Sequence, residues 1–478
     1  MDARTLRPYQ ELMIDHIIAT PKCALYSFMG SGKTAATLYA IDRLTLAGVL
    51  TKPTLVVAPL RVARDVWPEE VKEWPDLAGM QIVPILGTDA ERRAALYKKA
   101  DVYTVNFENL EWLIDLWKEH WPYGMIVIDE STKLKSLRAS IRTNKDGTTY
   151  VTGQGGKRAK SLLKCVYHNR NDRFVELSGT PSPNGIENLW GQLFFVDYGK
   201  RLGRVFNAFQ SRWLQRSFDG FGYEPLPHAQ GEIQAAIKDV CLSLRSKDWF
   251  ALEEPIVRHI TVELPPAVRK QYRELERALY TEVQNHPIEA FNAGAKTAKL
   301  RQFCAGAVYL GTAEDAGPRK WVPTHDEKIK VLEEIVEEAA GAPILVAYHF
   351  KSDLERLKAH FPKGRELDQK TQTIKDFNAG RIPILFCHPA SAGHGLNLQN
   401  GSNILVYFSC DFNAETHWQV AERIGPVRQA QAGLQRNVYH YYITVKNSVD
   451  EDILENLEGK RAVQDVVMEG LRRRLTNT

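Results

Sequence analysis

The chain has 478 residues, 44% hydrophobic and 25% charged, with a formal net charge of +4. This is a globular composition on a length that exceeds one ordinary core, so two large domains are expected, while the small net charge neither demands nor excludes nucleic acid. The six cysteines stand apart with no C-x-x-C pair or ligand-spaced histidines, and no apolar run suits a signal segment or a bilayer span, so reduced thiols in a soluble, cytoplasmic protein with no membrane partner are expected.

Leu6-Arg7-Pro8-Tyr9-Gln10 leads into an amphipathic stretch ending at Ala19. Alone, Gln10 reads as a solvated helix residue; beside a nucleotide loop its amide matches the donor and acceptor of adenine. The apolar run Ala24-Leu25-Tyr26-Ser27-Phe28 then precedes Met29-Gly30-Ser31-Gly32-Lys33-Thr34, and a helix-like stretch follows from Ala35 to Ala47, stopping at Gly48. Strand, glycine loop, Lys-Thr and helix is the layout of a phosphate-binding loop. Its backbone N–H groups and helix start receive the polyphosphate, Lys33 serves the β/γ-phosphates and Thr34 offers a hydroxyl to Mg²⁺. Ser27 stands where the strict pattern has its first glycine, so the loop by itself also reads as a glycine turn opening a helix.

Further apolar runs lie at Thr54–Leu60, Asp101–Val105, Met125–Ile128 and Phe174–Leu177, alternating with helix-period segments such as Val62–Trp74 and Asp89–Ala100. The alternation predicts a parallel sheet covered by helices on both faces, with ligands at the carboxyl ends of its strands. Asp129 and Glu130 stand at one such end. With a phosphate loop in the chain, Asp129 suits Mg²⁺ and Glu130 suits polarising the attacking water; alone, the pair is a polar strand end entering a helix. Ser178-Gly179-Thr180-Pro181 ends another run, and by itself is an ordinary turn.

Between these ends, Ser140 to Lys164 is rich in Gly, Thr, Lys and Arg and reads as a mobile basic loop, either solvated or touching a phosphate backbone. Lys200 to about Pro255 mixes aromatics, among them Phe206, Phe209, Trp213, Phe218, Phe221 and Tyr223, with basic residues; a small helical core explains them more simply than DNA. Val268–Val283 and Asp326–Ala340 are helix-like. A second alternation has strands at Pro343–Tyr348, Ile382–Cys387, Asn403–Ser409 and Val438–Val445, and helices at Ser352–His360, Lys370–Ala379 and Ala414–Ile424. This second sheet brings no second Lys-Thr loop. An amphipathic tail, Asp450–Leu475, contains Arg472-Arg473-Arg474.

The ordered set Leu6–Gln10, Met29–Thr34, Val56-Val57-Ala58-Pro59, Ile128-Asp129-Glu130 and Leu177–Pro181 resembles a superfamily-two helicase motor, most closely the Swi/Snf-type ATPases. Asp129-Glu130-Ser131-Thr132-Lys133-Leu134-Lys135-Ser136 supports that branch, although Ser131-Thr132 replace the family's Ala-His. Ser182-Pro183-Asn184-Gly185-Ile186-Glu187-Asn188-Leu189-Trp190, Leu264-Pro265-Pro266 and Lys299–Cys304 support it too. Pro389–Gln399 resembles motif V, with His394 a loop residue, and Gln419–Gln429 resembles motif VI. Arg423 falls on that motif's first arginine. Pro426 occupies the place of the second, and Arg428, two residues later, either reaches the γ-phosphate by another path or lies at the surface.

The resemblance implies an α/β protein of two RecA-like lobes with parallel sheets covered on both faces, plus a helical insertion on the first. The expected domains are 1–198 (ATP-binding), 199–325 (helical protrusion and inter-lobe segments) and 326–478. It implies ATP and Mg²⁺ as cofactors. Nucleotide contacts fall on Arg7, Gln10, Met29, Gly30, Ser31, Gly32, Lys33, Thr34 and Gly395, metal contacts on Thr34 and Asp129, and catalysis on Lys33, Asp129, Glu130, Arg423 and Arg428. DNA contacts fall on Pro59, Arg61, Asn106, Phe350, Lys351, Ser391, Ala392 and Gly393. The implied protein is a monomeric, DNA-dependent ATPase moving on double-stranded DNA, prokaryotic or viral in type. Its rivals are a strand-separating helicase and a DNA-binding scaffold that holds ATP without productive hydrolysis.

Overall fold

The computed structural model describes residues 5–118, 120–168, 172–179, 181–182, 185–216, 223–250, 252–278, 280–284, 286–290, 293–310, 320–368, 370–392 and 396–470. Two units divide it: Met1–Phe250 with Lys460–Thr478, and Ala251–Gly459. The stretch 199–325, expected as one segment, is thus shared between them.

The first unit contains β1 (Lys22–Ser27), β2 (Thr54–Ala58), β3 (Ile82–Pro84), β4 (Val102–Asn106), β5 (Met125–Asp129), β6 (Arg138–Thr143), β7 (Thr149–Gln154), β8 (Arg173–Ser178), β9 (Leu214–Arg216), β10 (Tyr223–Pro225) and β11 (Cys241–Leu244). Seven of them form a sheet in the order β11-β1-β8-β5-β2-β4-β3, every neighbouring pair parallel. Successive residues on a strand enter opposite cores. Ala24, Tyr26, Val57 and Ile128 belong to one apolar cluster, and Cys23, Leu25, Val56 and Val127 to the other. A sheet buried on both faces needs apolar residues at every position, which is why these strands read as unbroken runs.

The second unit contains β12 (Ile256–Val262), β13 (Tyr280–Val283), β14 (His286–Glu289), β15 (Ala307–Tyr309), β16 (Trp321–Pro323), β17 (Ile344–Ala347), β18 (Arg365–Glu366), β19 (Ile384–Cys387), β20 (Ile404–Tyr407) and β21 (Tyr439–Val445). Its sheet runs β12-β21-β20-β17-β19-β18, again all parallel. The same division holds: Val346, Phe386 and Val406 face one core, Leu345, Leu385 and Leu405 the other. Two parallel, doubly covered sheets give the expected fold class.

Three local expectations fail. The basic stretch 140–164 is an antiparallel hairpin, β6 with β7, followed by a helix Lys157–His168, not a mobile loop. Its glycines serve a close approach of strands: Gly153, at φ 110°, leaves no room for a Cβ, which would stand 2.4 Å from the Arg138 carbonyl oxygen. The helix expected to reach Val283 ends at Ala278, after which Tyr280–Val283 pairs with His286–Glu289. Thr281 and Val283 are buried while Tyr280 and Glu282 are exposed, so the segment has the two-residue period of a strand. The mixed region after Lys200 holds helices Phe206–Trp213 and Ala229–Ile237, but also β11, which joins the first sheet beside β1. Phe218, Phe221, Thr180 and Arg472–Arg474 lie outside the described residues.

One buried carboxyl breaks the apolar pattern. Glu176 on β8, between Ala24 of β1 and Ile128 of β5, is fully buried, and neither carboxyl oxygen meets a hydrogen-bond partner among the described residues. Burial pushes its pKa well above the ordinary range, because no donor or cation compensates the lost hydration of the anion. The folded protein therefore retains a proton that the unfolded chain releases near pH 4.3 or so, and stability drains away as pH rises from there towards the folded-state pKa. Glu176→Gln is expected to flatten this dependence, gaining on the parent by up to about 1.4 kcal/mol per pH unit within that window. Denaturant midpoints measured across the pH range check this; curves that stay parallel refute it.

Candidate nucleotide site

The site is built at the carboxyl edge of the first sheet, where β1, β8 and β5 are neighbours. From the end of β1 the chain turns through Gly30 (φ 79°) and Gly32 (φ 75°) into the helix Lys33–Leu46. Both glycines use the left-handed region that aims successive N–H groups towards one point. The amide nitrogen of Gln10 lies over this turn, and a Cβ on Gly32 would come within 2.4 Å of its Nε2. Gln10 is itself fixed, since its Oε1 accepts from the Arg7 backbone N–H at 2.9 Å. The Lys33 ammonium donates to the carbonyls of Ser27 (2.9 Å) and Phe28 (3.3 Å). Ser31 is buried, and its hydroxyl finds no partner among the described residues. A cation on carbonyls, an orphaned hydroxyl and a glycine cradle fit a polyphosphate. Thr34 occupies the second position of the helix, half-buried.

Asp129 ends β5, and its Oδ2 accepts from the indole N–H of Trp67 at 2.9 Å. Trp67, fully buried, opens the helix Trp67–Glu73 directly after a π-helical turn at Val62–Val66. Burial raises the Asp129 pKa, while the Trp67 hydrogen bond and then the Lys33 charge oppose it. Lys33, from one strand end, and Asp129, from another, therefore share one electrostatic neighbourhood. The donor set suits a hard cation held by oxygen, with one carboxylate oxygen already committed to the indole.

Glu130 adopts a left-handed backbone (φ 72°, ψ 62°), a conformation costly for a residue with a Cβ. Its Oε1 accepts from the Thr132 hydroxyl at 3.0 Å. The next residue is tied further: Ser131 Oγ donates to Gln192 Oε1 at 2.8 Å, and Gln192 Nε2 donates to the Pro181 carbonyl at 2.7 Å. Gln192, in the helix Asn188–Asp197, thus bridges the Asp-Glu segment to the turn after β8. That turn touches the phosphate loop, since a Cβ on Gly179 would stand 2.8 Å from Met29 Cγ.

Arg7 lies 5.5 Å from the centroid of Phe250, within a cluster in which Tyr9 packs edge-on against Phe28 and Trp249. Trp67, Gln192, Trp249 and Phe250 were not legible as site residues. Pro59 follows β2, and Asn106 ends β4 opposite Ala58, so both share the same sheet edge. Asn106 is buried and donates to Glu108 at 2.8 Å; Arg61 is half-buried, which lowers its pKa.

In the second unit, Phe350 and Lys351 follow β17, and Ser391 follows the adjacent β19. The Arg301 guanidinium lies 5.4 Å from the Phe350 ring centroid, and Lys351 and Ser391 are exposed. Ala392 closes the short helix Pro389–Ala392, while Gly393, His394 and Gly395 lie outside the described residues. Arg423 is buried just beyond the helix Ala414–Ala421. Pro426 opens a new helix, Pro426–Gln431, where its fixed φ and missing N–H cost nothing. Arg428, in that helix, donates to Asn397 Oδ1, and burial lowers its pKa against the charge of Glu422. It is neither a plain surface residue nor an unrestrained one.

A family model for the SNF2-related domain matches residues 19–148, spanning both the phosphate loop and the Asp-Glu strand. Protein p41 of Acyrthosiphon pisum secondary endosymbiont phage 1 is 48% identical over 99% of this chain and 100% of its own. The ISWI chromatin-remodeling complex ATPase ISW1 of Saccharomyces cerevisiae is 23% identical over 97% of this chain, which spans 40% of that relative's length. A solved Sulfolobus solfataricus SWI2/SNF2 ATPase core in complex with dsDNA aligns over 98% of this chain and 94% of that one, at 20% identity and a TM-score of 0.43. On the sequence matches and the site they span, the chain belongs to the SNF2 branch of the superfamily-two helicases, the Swi/Snf-type DNA-dependent ATPases.

Proposed function

We propose that this protein hydrolyses MgATP in response to duplex DNA and uses the cycle to move along it. The observation that carries the reading is the meeting of Lys33 with Asp129 and Glu130 at the carboxyl ends of two strands, β1 and β5, on either side of β8, with Gln10 over the glycine turn. Mg²⁺, when bound, neutralises phosphate charge as it builds up. Thr34 and the Asp129 oxygen not held by Trp67 would hold it. Lys33 leaves its carbonyl partners for the β/γ-phosphates, Gln10 reads adenine beside Arg7, and Glu130 orients water. Arg423 and Arg428 supply charge to the γ-phosphate during turnover, and Pro59, Arg61, Asn106, Phe350, Lys351, Ser391, Ala392 and Gly393 serve DNA. The phage relative supports action inside an infected bacterial cell; no helix among the described residues is long and apolar enough to cross a membrane.

ATP turnover measured without DNA, with single strands and with duplex, beside a forked substrate, tests the reading. Duplex stimulation without fork opening is the expected result. Opening of the fork makes the protein a strand-separating helicase, and absence of turnover with every DNA makes it an ATP-holding scaffold.

The Trp67 indole gives a second handle. Trp67→Phe keeps most of the buried volume but removes the donor to Asp129, leaving the carboxylate free to rotate away from its metal-binding pose. The Mg²⁺-dependent gain in affinity for a fluorescent ATP analogue is expected to fall about tenfold, as when an outer-shell partner is lost, with metal-free affinity unchanged. A folded variant with the parent's Mg²⁺ response refutes this role.

A further inference from the structure

Residues 131–164 hold nine lysines and arginines against one acidic residue, Asp146, a surplus of eight in a chain whose net charge is only +4. Two of the nine are paired with carboxylates outside the segment, Lys157 with Glu111 and Arg158 with Glu108, and the formal surplus that remains leaves the Asp-Glu pair along the chain. The segment's centre is the β6–β7 hairpin, a braced element rather than a solvated run. Arg138 stacks over Phe206 at 3.7 Å from the ring centroid and donates to the carbonyls of Lys135 and Leu137. Ile141 and Val151, cross-strand partners, pack on the core. At the tip, Asp146 accepts from the backbone and hydroxyl of Thr148 at 2.9 and 2.6 Å, so its carboxylate closes the turn.

The alternation of strands puts Arg142 and Tyr150, direct cross-strand partners, on the face opposite Ile141 and Val151. That face is covered at its base, where Ser140 is buried beside Thr152 and Arg138 lies over Phe206, and is open towards the tip, where Lys145 stands. Arg142, Lys145 and Tyr150 are all exposed. Elsewhere on this unit arginines find carboxylates close by, as Arg43 does with Glu11, Arg93 with Asp89 and Arg212 with Glu232. The side chains of Arg142 and Lys145 have no hydrogen bond or ion pair among the described residues. Two unneutralised cations beside a phenol on a stiff ribbon are suited to a regular array of external anions, because phosphate contacts need positioned charge and donors rather than a pocket.

We propose that the exposed tip end of this hairpin is a contact surface for the phosphate backbone of duplex DNA, made by Arg142 and Lys145 with the Tyr150 hydroxyl beside them. It rests on the duplex-dependent reading above. It also places a DNA contact on the segment continuous with Glu130, since only the turn Ser131–Leu134 and three further residues separate that carboxylate from β6.

The test is duplex binding across a salt series for the full chain and for Arg142→Ala/Lys145→Ala. Both positions are exposed, so the variant is expected to fold, and unchanged binding of an ATP analogue verifies it. Removing two phosphate contacts is expected to weaken duplex binding on the order of tenfold near 0.1 M salt and to make the log–log salt slope shallower by about 2. The charge-preserving Arg142→Lys/Lys145→Arg keeps the parent slope. A double-alanine variant with the parent's affinity and slope overturns the hairpin assignment, including the case in which the surface serves an acidic protein instead. A parent chain that binds no duplex overturns the underlying DNA reading, an outcome distinguishable from the first.

Discussion

Glu130→Gln is expected to cut duplex-stimulated ATP turnover by about 10²–10⁴-fold, the range typical of losing a positioned general base. The amide keeps the shape and the contact with Thr132 but no longer draws a proton from the attacking water. Binding of ATP and of duplex DNA should persist, so the variant accumulates as a nucleotide-loaded complex. Lys33→Ala is expected to reach similarly low turnover by another route. It removes the ammonium proposed to serve the phosphates, so nucleotide affinity is expected to fall with the rate. Equilibrium nucleotide binding beside steady-state hydrolysis separates the two: a loss of rate alone for Glu130→Gln, and of rate and affinity together for Lys33→Ala. Substantial turnover in either variant refutes the placing of the site at the carboxyl edge of the first sheet.

The largest expected effect on stability lies in the second unit. Lys328, in the first turn of the helix Glu327–Glu338, is almost fully buried, with its ammonium 2.7 Å from Asp450 and 3.1 Å from the Phe408 carbonyl. Burial, the largest single influence, draws its pKa down, but the charge of Asp450, the hydrogen bond to it and the nearby Cys304 together outweigh this and the net shift is upward. Asp450 also accepts the Val445 backbone N–H, so the pair joins the end of β21, the residue after β20 and two helices. Lys328→Met leaves a buried carboxylate without its cation and is expected to cost roughly 3–5 kcal/mol. Lys328→Met with Asp450→Asn, which removes both charges and keeps an acceptor, is expected to recover much of that. Denaturant unfolding of the whole chain reads the result as a displaced transition of one unit; a shift below about 1 kcal/mol for Lys328→Met refutes it.

The sheets were legible because parallel strands buried on both faces must be apolar at every position, as Val56-Val57 and Leu345-Val346 are. The phosphate loop and Asp129-Glu130 were legible because each follows such a strand. Residues whose roles depend on a distant partner were not. Trp67 looks like any core residue of an amphipathic helix, and only the fold brings its indole to Asp129, 62 positions away. Gln192 carries no signal beyond a polar residue in an apolar helix. The β6–β7 hairpin was misread because Gly153 and Gly155, here required for close strand approach, have the composition of a loop. Tyr280–Val283 was assigned to the preceding helix because its two-residue period is too short to interrupt a helical pattern. Pro426 drew attention as a break in an arginine motif; locally it is an ordinary helix start that carries Arg428 onto Asn397.

The sheet order also has a consequence for the time at which the protein becomes able to hold a nucleotide. β1, which launches the phosphate loop, pairs only with β8 and β11, whose first residues are Arg173 and Cys241. The chain is made from the other end of that separation. While it emerges, β2, β4 and β5 find one another early, but the first strand waits for partners about 150 and 220 positions later. Closing such long loops is slow, and parallel pairing gives little reward until it is complete. A nascent chain halted before β8 therefore carries every residue of its glycine loop with neither neighbour to hold it. ATP binding should appear during synthesis as a late step, after the strand bearing Glu176 has slotted between the first strand and the fifth.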